Sequence, residues 1–338
     1  MHFTKALVFT IFFLTTFLVQ SQEIVGSVAD RVTKKPIDGA SVYFDGSSTG
    51  TITDQEGNFK IKLLYQNNAT LVIRYLGYET KKIANLNETS KLKIELSEAV
   101  ESLDEIVVTS DPFSRRQKLK VFKLEFLGDT KGGRNSTIVN EGEVKLYFNT
   151  YDNTLTAYCN KPLIIQNDYL GYVVNFEIEE FKIFFKKSSL ERTDNIYHTV
   201  YDGSTQFYDV SSNDSKIKER REKAYLGSAM HFMRSCWSGN FKNQNFELKR
   251  GFKPVSITNF FSKENSNTAL QNIRFSSDKF VIYHKKKGNY RSTLSINNID
   301  TTYTLDRYGN YSPFQEIVFG GYMANFRIGD MLPIDYGL

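Results

Sequence analysis

The sequence predicts a mainly β protein, in which a small β-sandwich precedes a larger β-rich α+β domain with one prominent helix. Aromatic residues are abundant, with 20 Tyr and 27 Phe, and such residues favour sheets over helices. Short runs of alternating apolar and polar residues recur between turns rich in Gly, Asp and Pro, which is the pattern of strands. Only one long stretch, about 215–237, has apolar residues at helical spacing.

Residues 1–21 have the pattern of a cleaved secretion signal. Lys5 precedes an apolar or Thr-containing run from Ala6 to Val19, and small residues at Val19 and Ser21 suit a cleavage site. This run is too short to span a membrane as a helix, and no later apolar run reaches the ~18 residues that a spanning helix needs. We therefore expect an exported protein whose mature chain begins at Gln22.

Composition narrows the class of protein further. The mature length fits two domains of roughly 150 residues each. The formal net charge is +5, with both signs interspersed, and no basic patch has the extent that nucleic-acid binding requires. The cysteines are Cys159 and Cys236, and their spacing does not decide whether they pair.

The first predicted domain, 22–98, alternates strand patterns with turn chemistry. About seven short strands at this spacing are typical of a β-sandwich. The clearest patterns cover residues 24–28, 40–44, 50–53, 58–63, 70–75 and 91–96.

Five motifs in this domain occur in a recognisable order. They are Ile24-x-Gly26-x-Val28-x-Asp30, Pro36-Ile37-x-Gly39-Ala40-Ser41-Val42, Gly50-Thr51-x-Thr53-Asp54, Gly57-x-Phe59 and Gly77-Tyr78. This order resembles the carboxypeptidase-regulatory-like domain, a transthyretin-like sandwich of Bacteroidetes envelope proteins that often precedes TonB-dependent receptors. The resemblance implies a seven-stranded sandwich in a protein of the periplasm or the outer membrane.

The resemblance implies no peptidase activity. A zinc peptidase needs His and Glu ligands and a catalytic Glu around an open metal position. The mature histidines are His198, His231 and His284, and none is followed by Glu at a ligand-like spacing. The sequence therefore predicts no metal, no cofactor and no catalytic residue set.

Residues 99–120 form a predicted linker, in which the charge changes from acidic to basic around Asp111-Pro112. Leu103-Asp104-Glu105-Ile106-Val107-Val108-Thr109 resembles the segment that joins this sandwich to the plug of TonB-dependent receptors, where a strand can be offered to TonB. One interpretation is that Ile106, Val107 and Val108 pair with the sheet edge of a TonB-like strand acceptor. The other is that this strand pairs within the protein.

The second predicted domain, 121–338, contains further strand patterns. Several of its motifs resemble the C-terminal region that accompanies the sandwich in uncharacterised Bacteroidetes proteins, and this resemblance implies an envelope location but no reaction. The motifs are Phe126-Leu127-Gly128-x-Thr130, Leu155-Thr156-Ala157, Lys161-Pro162-Leu163-Ile164-Ile165-x-Asn167, Leu170-Gly171-Tyr172, Arg221-x-x-x-Tyr225-x-Gly227-Ser228-x-x-His231-Phe232 and Leu332-Pro333-x-Asp335-Tyr336.

The predicted helix at about 215–237 carries the candidate site. At ~100° per residue, His231 and Arg220 lie close together, opposite the apolar stripe, and Arg221 lies at its edge. The functional interpretation is a small anionic binding site or partner contact at His231 with Arg220 or Arg221. The structural interpretation pairs Arg221 with a carboxylate and leaves His231 solvated or bonded to backbone.

Two glycine-containing segments resemble functional motifs without their context. Gly46-Ser47-Ser48-Thr49-Gly50 fits the nucleophile-elbow pattern, but a strand follows it where that motif needs a helix. Lys131-Gly132-Gly133-Arg134 lacks the ending of a phosphate-binding loop. We expect a hairpin loop at the first segment and a flexible loop at the second.

The sequence therefore favours a non-enzymatic, exported envelope protein that acts through protein or surface interactions. Two alternatives stay open. In one, residues 121–338 form a small outer-membrane barrel of about eight strands with the sandwich as a periplasmic cap. In the other, the protein is an unrecognised hydrolase that uses residues around His231 and Asp335.

Overall fold

The computed structural model describes residues 23–63, 69–84, 86, 91–99, 111–191, 193–266, 270–285 and 290–337. The predicted signal peptide and the predicted partner strand of Ile106, Val107 and Val108 lie outside the described residues. Within those ranges the chain is mainly β, as the sequence predicts.

The first domain is the predicted sandwich, with seven strands in two sheets. One sheet has the order β4-β1-β7 and the other β3-β2-β5-β6. In the first sheet β1 pairs antiparallel with β4 and parallel with β7. The strands are β1 Glu23–Asp30, β2 Ser41–Phe44, β3 Gly50–Ile52, β4 Asn58–Lys62, β5 Leu71–Arg74, β6 Lys81–Ile83 and β7 Leu92–Leu96.

A continuous apolar core holds the two sheets of the sandwich together. Val28, Phe44, Ile61 and Ile73 belong to it and are buried. On β1 and β4 the buried positions alternate with more exposed ones, whereas on β2 and β5 successive residues are buried. The β2–β3 connection at residues 45–49 is a hairpin loop, which confirms the expectation for the Gly46–Gly50 segment.

The rest of the described chain forms three further sheets, four α-helices and several short 3-10 helices. The sheets are β8-β11-β12-β10-β9 with β13 alongside β12, β15-β14-β18-β19-β22, and β16-β17-β20-β21. The strands of the first are β8 Ser136–Ile138, β9 Lys145–Asn149, β10 Thr154–Tyr158, β11 Leu163–Asn167, β12 Tyr172–Phe185 and β13 Ile196–Asp209. The others are β14 Phe246–Arg250, β15 Lys253–Val255, β16 Phe261–Ser266, β17 Leu270–Phe275, β18 Lys279–His284, β19 Tyr290–Ile296, β20 Tyr303–Asp306, β21 Tyr311–Ser312 and β22 Ile317–Gly321. The helices are α1 Arg115–Leu127, α2 Lys131–Arg134, α3 Ser215–Tyr225 and α4 Ala229–Ser238.

Two aromatic-rich clusters form the cores of this second part. In one, Phe122 and Phe126 of α1 pack on Phe181 of β12. In the other, Phe232 of α4 packs on Phe260. The two cysteines are free thiols that contact different clusters, so they do not pair.

The sequence predicted one continuous helix at about 215–237, and this is wrong because the structure has two helices there, α3 and α4. The chain breaks between α3 and α4, where Gly227 has a φ of 78° and the side chain of Ser228 accepts a hydrogen bond from the backbone N–H of His231. A glycine in the left-handed region ends helices readily, and serine is a preferred N-cap. The Gly227-Ser228 pair therefore stops one helix and starts the next.

Two other segments are more regular than the sequence suggested. Part of the predicted linker is helical, because α1 begins at Arg115 behind a capping box of Ser114 and Gln117. The expectation of a flexible loop at 131–134 is wrong. This segment is the short helix α2, in which Gly132 and Gly133 are buried against the backbone of Gly329.

Candidate functional site

Arg221 is buried in the protein, with 5% of its surface exposed. Its guanidinium donates to both carboxylate oxygens of Asp209, at 2.7 and 2.8 Å. It also donates to the backbone carbonyls of Leu170 and Gly171, and it lies 3.8 Å from the ring centroid of Tyr172. This planar, multiply bonded geometry is one that Arg provides and Lys does not. Each of its three guanidinium nitrogens therefore donates to protein, and Arg221 pairs with a carboxylate as the structural interpretation expected.

Arg220 lies one residue earlier on α3 and is half-buried. Its guanidinium stacks 4.8 Å from the ring centroid of Tyr169 and donates to the carbonyl of the same residue at 3.3 Å. These contacts hold Arg220 against the β11–β12 turn. The structure gives no contact between Arg220 and His231.

The expectation that His231 faces away from the apolar stripe is wrong, because the break at Gly227 changes the direction of the chain. His231 is buried, with 2% exposed. Its Nδ1 accepts from the backbone N–H of Gly227, and its Nε2 lies 2.9 Å from Oε1 of Gln244. The ring packs beside His284 and Phe246. The imidazole therefore stabilises the α3–α4 break and the start of the five-stranded sheet.

The Arg221 guanidinium holds the pKa of the Asp209 carboxyl below its usual value of 3.8. A carboxyl with a lowered pKa in the folded state stabilises the fold fully above its unfolded pKa, and this contribution disappears as the pH falls through the folded pKa. We expect Asp209→Asn to lower the free energy of unfolding by about 2 kcal/mol at neutral pH. Denaturant titrations should show this difference from the wild type shrinking below pH 3.8. A difference that stays constant with pH would contradict the assignment.

Sequence reasoning missed Arg234, which joins three parts of the chain. On α4, its guanidinium donates to the carbonyl of Tyr308 at 3.0 Å, of Tyr336 at 2.8 Å and of Ile334 at 2.7 Å. The motif at 332–336 was visible in the sequence, but its binding partner lies about a hundred residues away. No local pattern identifies such a contact.

Asp335, the other residue of the hydrolase alternative, bonds to the sandwich. Its carboxylate accepts from the backbone N–H and the hydroxyl of Ser48 and from the hydroxyl of Thr49. Beside it, the N–H of Ile334 donates to the carbonyl of Gly46 at 2.7 Å. The segment 332–336 therefore connects α4 to the β2–β3 hairpin, and the structure gives no contact between Asp335 and His231.

Strand β13 makes a second set of bonds to the same hairpin. The N–H of Gly46 donates to the carbonyl of Thr205, the N–H of Phe207 donates to the carbonyl of Ser47, and the N–H of Thr205 donates to Oδ1 of Asp45 at 2.7 Å. Burial raises the pKa of the Asp45 carboxyl, although the Thr205 bond opposes this. The hairpin is thus held from two sides by main-chain bonds.

The edge of the sandwich adds side-chain contacts to this interface. Thr80 donates to Glu177 at 2.7 Å, Arg74 lies 3.5 Å from the same carboxylate, and Lys82 pairs with Glu179. We call the hairpin 45–49, β13 and the segment 332–336, together with these edge contacts, the joint. The joint fixes the sandwich to the rest of the described chain.

Of the cavities formed by the described residues, one lies at the joint and another lies away from it. One, of about 530 Å³, lies at the joint and is lined by Asp45, Thr70, Asn310, Tyr311 and Ile334 among others. The other, of about 570 Å³, lies beside α1. Both have the size of small-molecule sites.

Within the described ranges, no cluster of three or more His, Cys, Asp or Glu side chains has the geometry to hold a metal ion. In the same part of the chain, no helix has the length and apolar character needed to cross a membrane.

Comparison with known proteins bears out the resemblance of the first domain. Residues 24–108 match the family model of the CarboxypepD_reg-like domain. The TonB-dependent receptor SusC of Bacteroides thetaiotaomicron is 32% identical over 96 residues, which are 28% of this chain and 9% of the receptor. A TonB-dependent receptor of Formosa agariphila is 32% identical over 108 residues, covering 31% of this chain and 10% of that receptor. The chain thus spans about a tenth of the length of these curated relatives.

Among solved structures, a type II cohesin–X-dockerin complex from Acetivibrio cellulolyticus is 29% identical. The match covers 22% of this chain and 51% of that chain, with a TM-score of 0.18. A score this low supports no conclusion about shared fold or function.

Proposed function

We propose that the protein is an exported cell-envelope protein that acts by binding another envelope protein and not by catalysis. The observation that carries this proposal is the orientation of the sandwich. The joint holds one end of its four-stranded sheet, at residues 45–49. Since β5 runs antiparallel to β2, with Phe44 opposite Leu71 and Ser41 opposite Arg74, residues 75–78 lie at the other end.

That other end presents aliphatic side chains to solvent. Val32 is 87% exposed and Leu76 is 72% exposed. The turns that carry them are adjacent, because the N–H of Arg31 donates to the carbonyl of Leu96 and the N–H of Glu79 donates to the carbonyl of the next residue, Ser97. Exposed apolar residues that lie together are typical of surfaces that contact another protein. The polar groups at the joint, in contrast, bind protein.

The similarity to TonB-dependent receptors supports an envelope setting for such contacts. In this proposal the sandwich is the part that meets the partner and the β-rich remainder holds it in place. The segment of Ile106, Val107 and Val108 would serve a TonB-like strand acceptor by β-augmentation.

Site-specific photo-crosslinking in intact cells tests the proposal. We expect a photoreactive residue at Val32 to form an adduct with an envelope protein. The matched control is Tyr151, which is 94% exposed on the β9–β10 turn and should give no adduct of the same mass. If neither Val32 nor Leu76 forms an adduct while the protein is present in the envelope fraction, the proposal is wrong.

A separate experiment tests the proposal that the protein does not act by catalysis. Purified protein should turn over no substrate in a hydrolase screen. Turnover that is lost in folded His231→Gln or Asp335→Asn variants would contradict this part of the proposal and support the hydrolase alternative.

A further inference from the structure

The groove beside α1 is the larger of the two cavities described above, at about 570 Å³. It lies between α1, α2 and the hairpin that connects β12 to β13, and the described residues leave it open. Its floor is aliphatic and aromatic, formed by Val121, Leu124, Leu127, Phe185, Leu190 and Ile196.

The floor results from the packing of α1. Val121 and Leu127 are buried in the core, while Leu124 lies between them on the same helix face and is half-buried. Leu190 and Ile196 of the hairpin are also half-buried across the groove. Apolar surface left in contact with water favours an apolar occupant, at roughly 25 cal/mol for each Å² covered.

The rim on the α1 side is cationic. Helix α1 contains five basic residues and one acidic residue, but Lys118 and Arg115 bind Asp111 and backbone carbonyls. Lys120 and Lys123 line the groove. Lys123 forms an exposed pair with Glu141, whereas Lys120 is exposed and makes no ion pair with any residue in the described ranges.

The other charges of the lining are nearly balanced. Asp129 pairs with Arg134 at 2.8 Å, and Glu191 lies on the hairpin. The lining thus holds Lys120, Lys123 and Arg134 against Asp129 and Glu191, a net charge of +1, and its cation without an ion pair in the described ranges is Lys120.

We propose that this groove binds an anionic amphiphile, with its apolar chain along the floor and its carboxylate or phosphate head beside Lys120 and Lys123. A fully polar ligand would leave the apolar floor in contact with water, and a neutral apolar chain would form no ion pair with the lysines. This inference goes beyond the proposed function and does not depend on it, because the groove lies outside the joint and away from Val32 and Leu76.

Calorimetric titration of the full chain with four probes tests the ligand class. Decanoate and decyl phosphate carry the chain and an anionic head, decanol carries the chain alone, and acetate carries the head alone. We expect at least one of the two anionic amphiphiles to bind more tightly than decanol, and acetate not to bind. The tighter of the two identifies the head group. Equal binding of decanol, or no binding of either anionic amphiphile, would overturn the proposal.

Substitutions in the groove test whether the ligand binds there. Leu190→Asp and Leu124→Asp should each weaken binding by more than tenfold, because a carboxylate would enter the apolar floor. The matched control is Val139→Asp, at an exposed apolar position.

Lys120→Ala should weaken binding of the anionic probe about two- to fivefold at low salt, and the effect should fade at high salt. The control is Lys62→Ala, at an exposed lysine of the sandwich.

The circular dichroism spectrum of each variant separates loss of binding from loss of fold. Leu190 lies on a surface hairpin, so its variant keeps the test usable if Leu124→Asp does not fold. Unchanged binding in a folded Leu190→Asp or Leu124→Asp variant would place the ligand elsewhere and contradict the inference.

Discussion

Replacing Arg221 by methionine is expected to lower the free energy of unfolding by about 3 kcal/mol. Methionine has similar length but leaves the Asp209 carboxylate without its bidentate partner and the carbonyls of Leu170 and Gly171 without their donor. Asp209 is exposed and water can replace its partner, but Leu170 and Gly171 are buried, so their carbonyls would stay without a donor, and an unsatisfied buried polar group is costly. Urea denaturation followed by circular dichroism measures the change.

Arg220→Met is the matched control for this prediction. It removes a neighbouring guanidinium that has one long backbone hydrogen bond and a stacking contact with Tyr169. We expect a loss of less than about 1 kcal/mol. Arg221→Lys should recover little of the lost stability, since one ammonium cannot reach four acceptors in a plane. Equal losses at Arg220 and Arg221 would show that the buried hydrogen bonds of Arg221 do not stabilise the fold.

Local chemistry made the sandwich predictable. Each strand pattern lies between turn residues only a few positions away, and alternation of side chains is imposed by the pleat itself. The short edge strand β6 was not singled out because Lys81 and Lys82 are exposed and interrupt the apolar pattern. Its place follows from pairing with β5, which the sequence alone does not display.

Helix α1 was not predicted, because its many charged residues obscure the helical spacing of its apolar residues. Lys118 is buried against Asp111, so a residue that looks like part of a solvated face belongs to the interior. The signal that could have found the helix is the capping box of Ser114 and Gln117. Composition suggested a linker, whereas the cap marked a helix start.

The candidate site depended on helical continuity. Extrapolating ~100° per residue through Gly227 placed His231 opposite the apolar stripe, but a left-handed glycine resets the direction of the chain. The joint could not be predicted from the sequence, for a different reason. Its hydrogen bonds connect residues about 287 positions apart, as between Ser48 and Asp335, and only the folded chain brings them together.

At Gly132, the local sequence and the tertiary contacts predict opposite effects of the same substitution. Taken locally, Gly132→Ala should stabilise α2, since alanine favours helices over glycine by about 1 kcal/mol. The fold predicts the opposite sign. A Cβ on Gly132 would lie 2.0 Å from the carbonyl oxygen of Gly329 and 2.9 Å from Oδ1 of Asp330.

We therefore expect Gly132→Ala to destabilise the protein by about 3 kcal/mol, because the clash is with backbone that is fixed on both sides. Asn167 donates to the same Gly329 carbonyl and Thr130 donates to Asp330, so the 328–330 turn cannot move without losing these bonds. The matched control is Gly142→Ala, where a Cβ would meet nothing within 4 Å. Its effect on urea denaturation should be within about 0.5 kcal/mol of zero. A Gly132→Ala protein as stable as the Gly142→Ala protein would show that α2 and the 328–330 turn do not pack as closely as described.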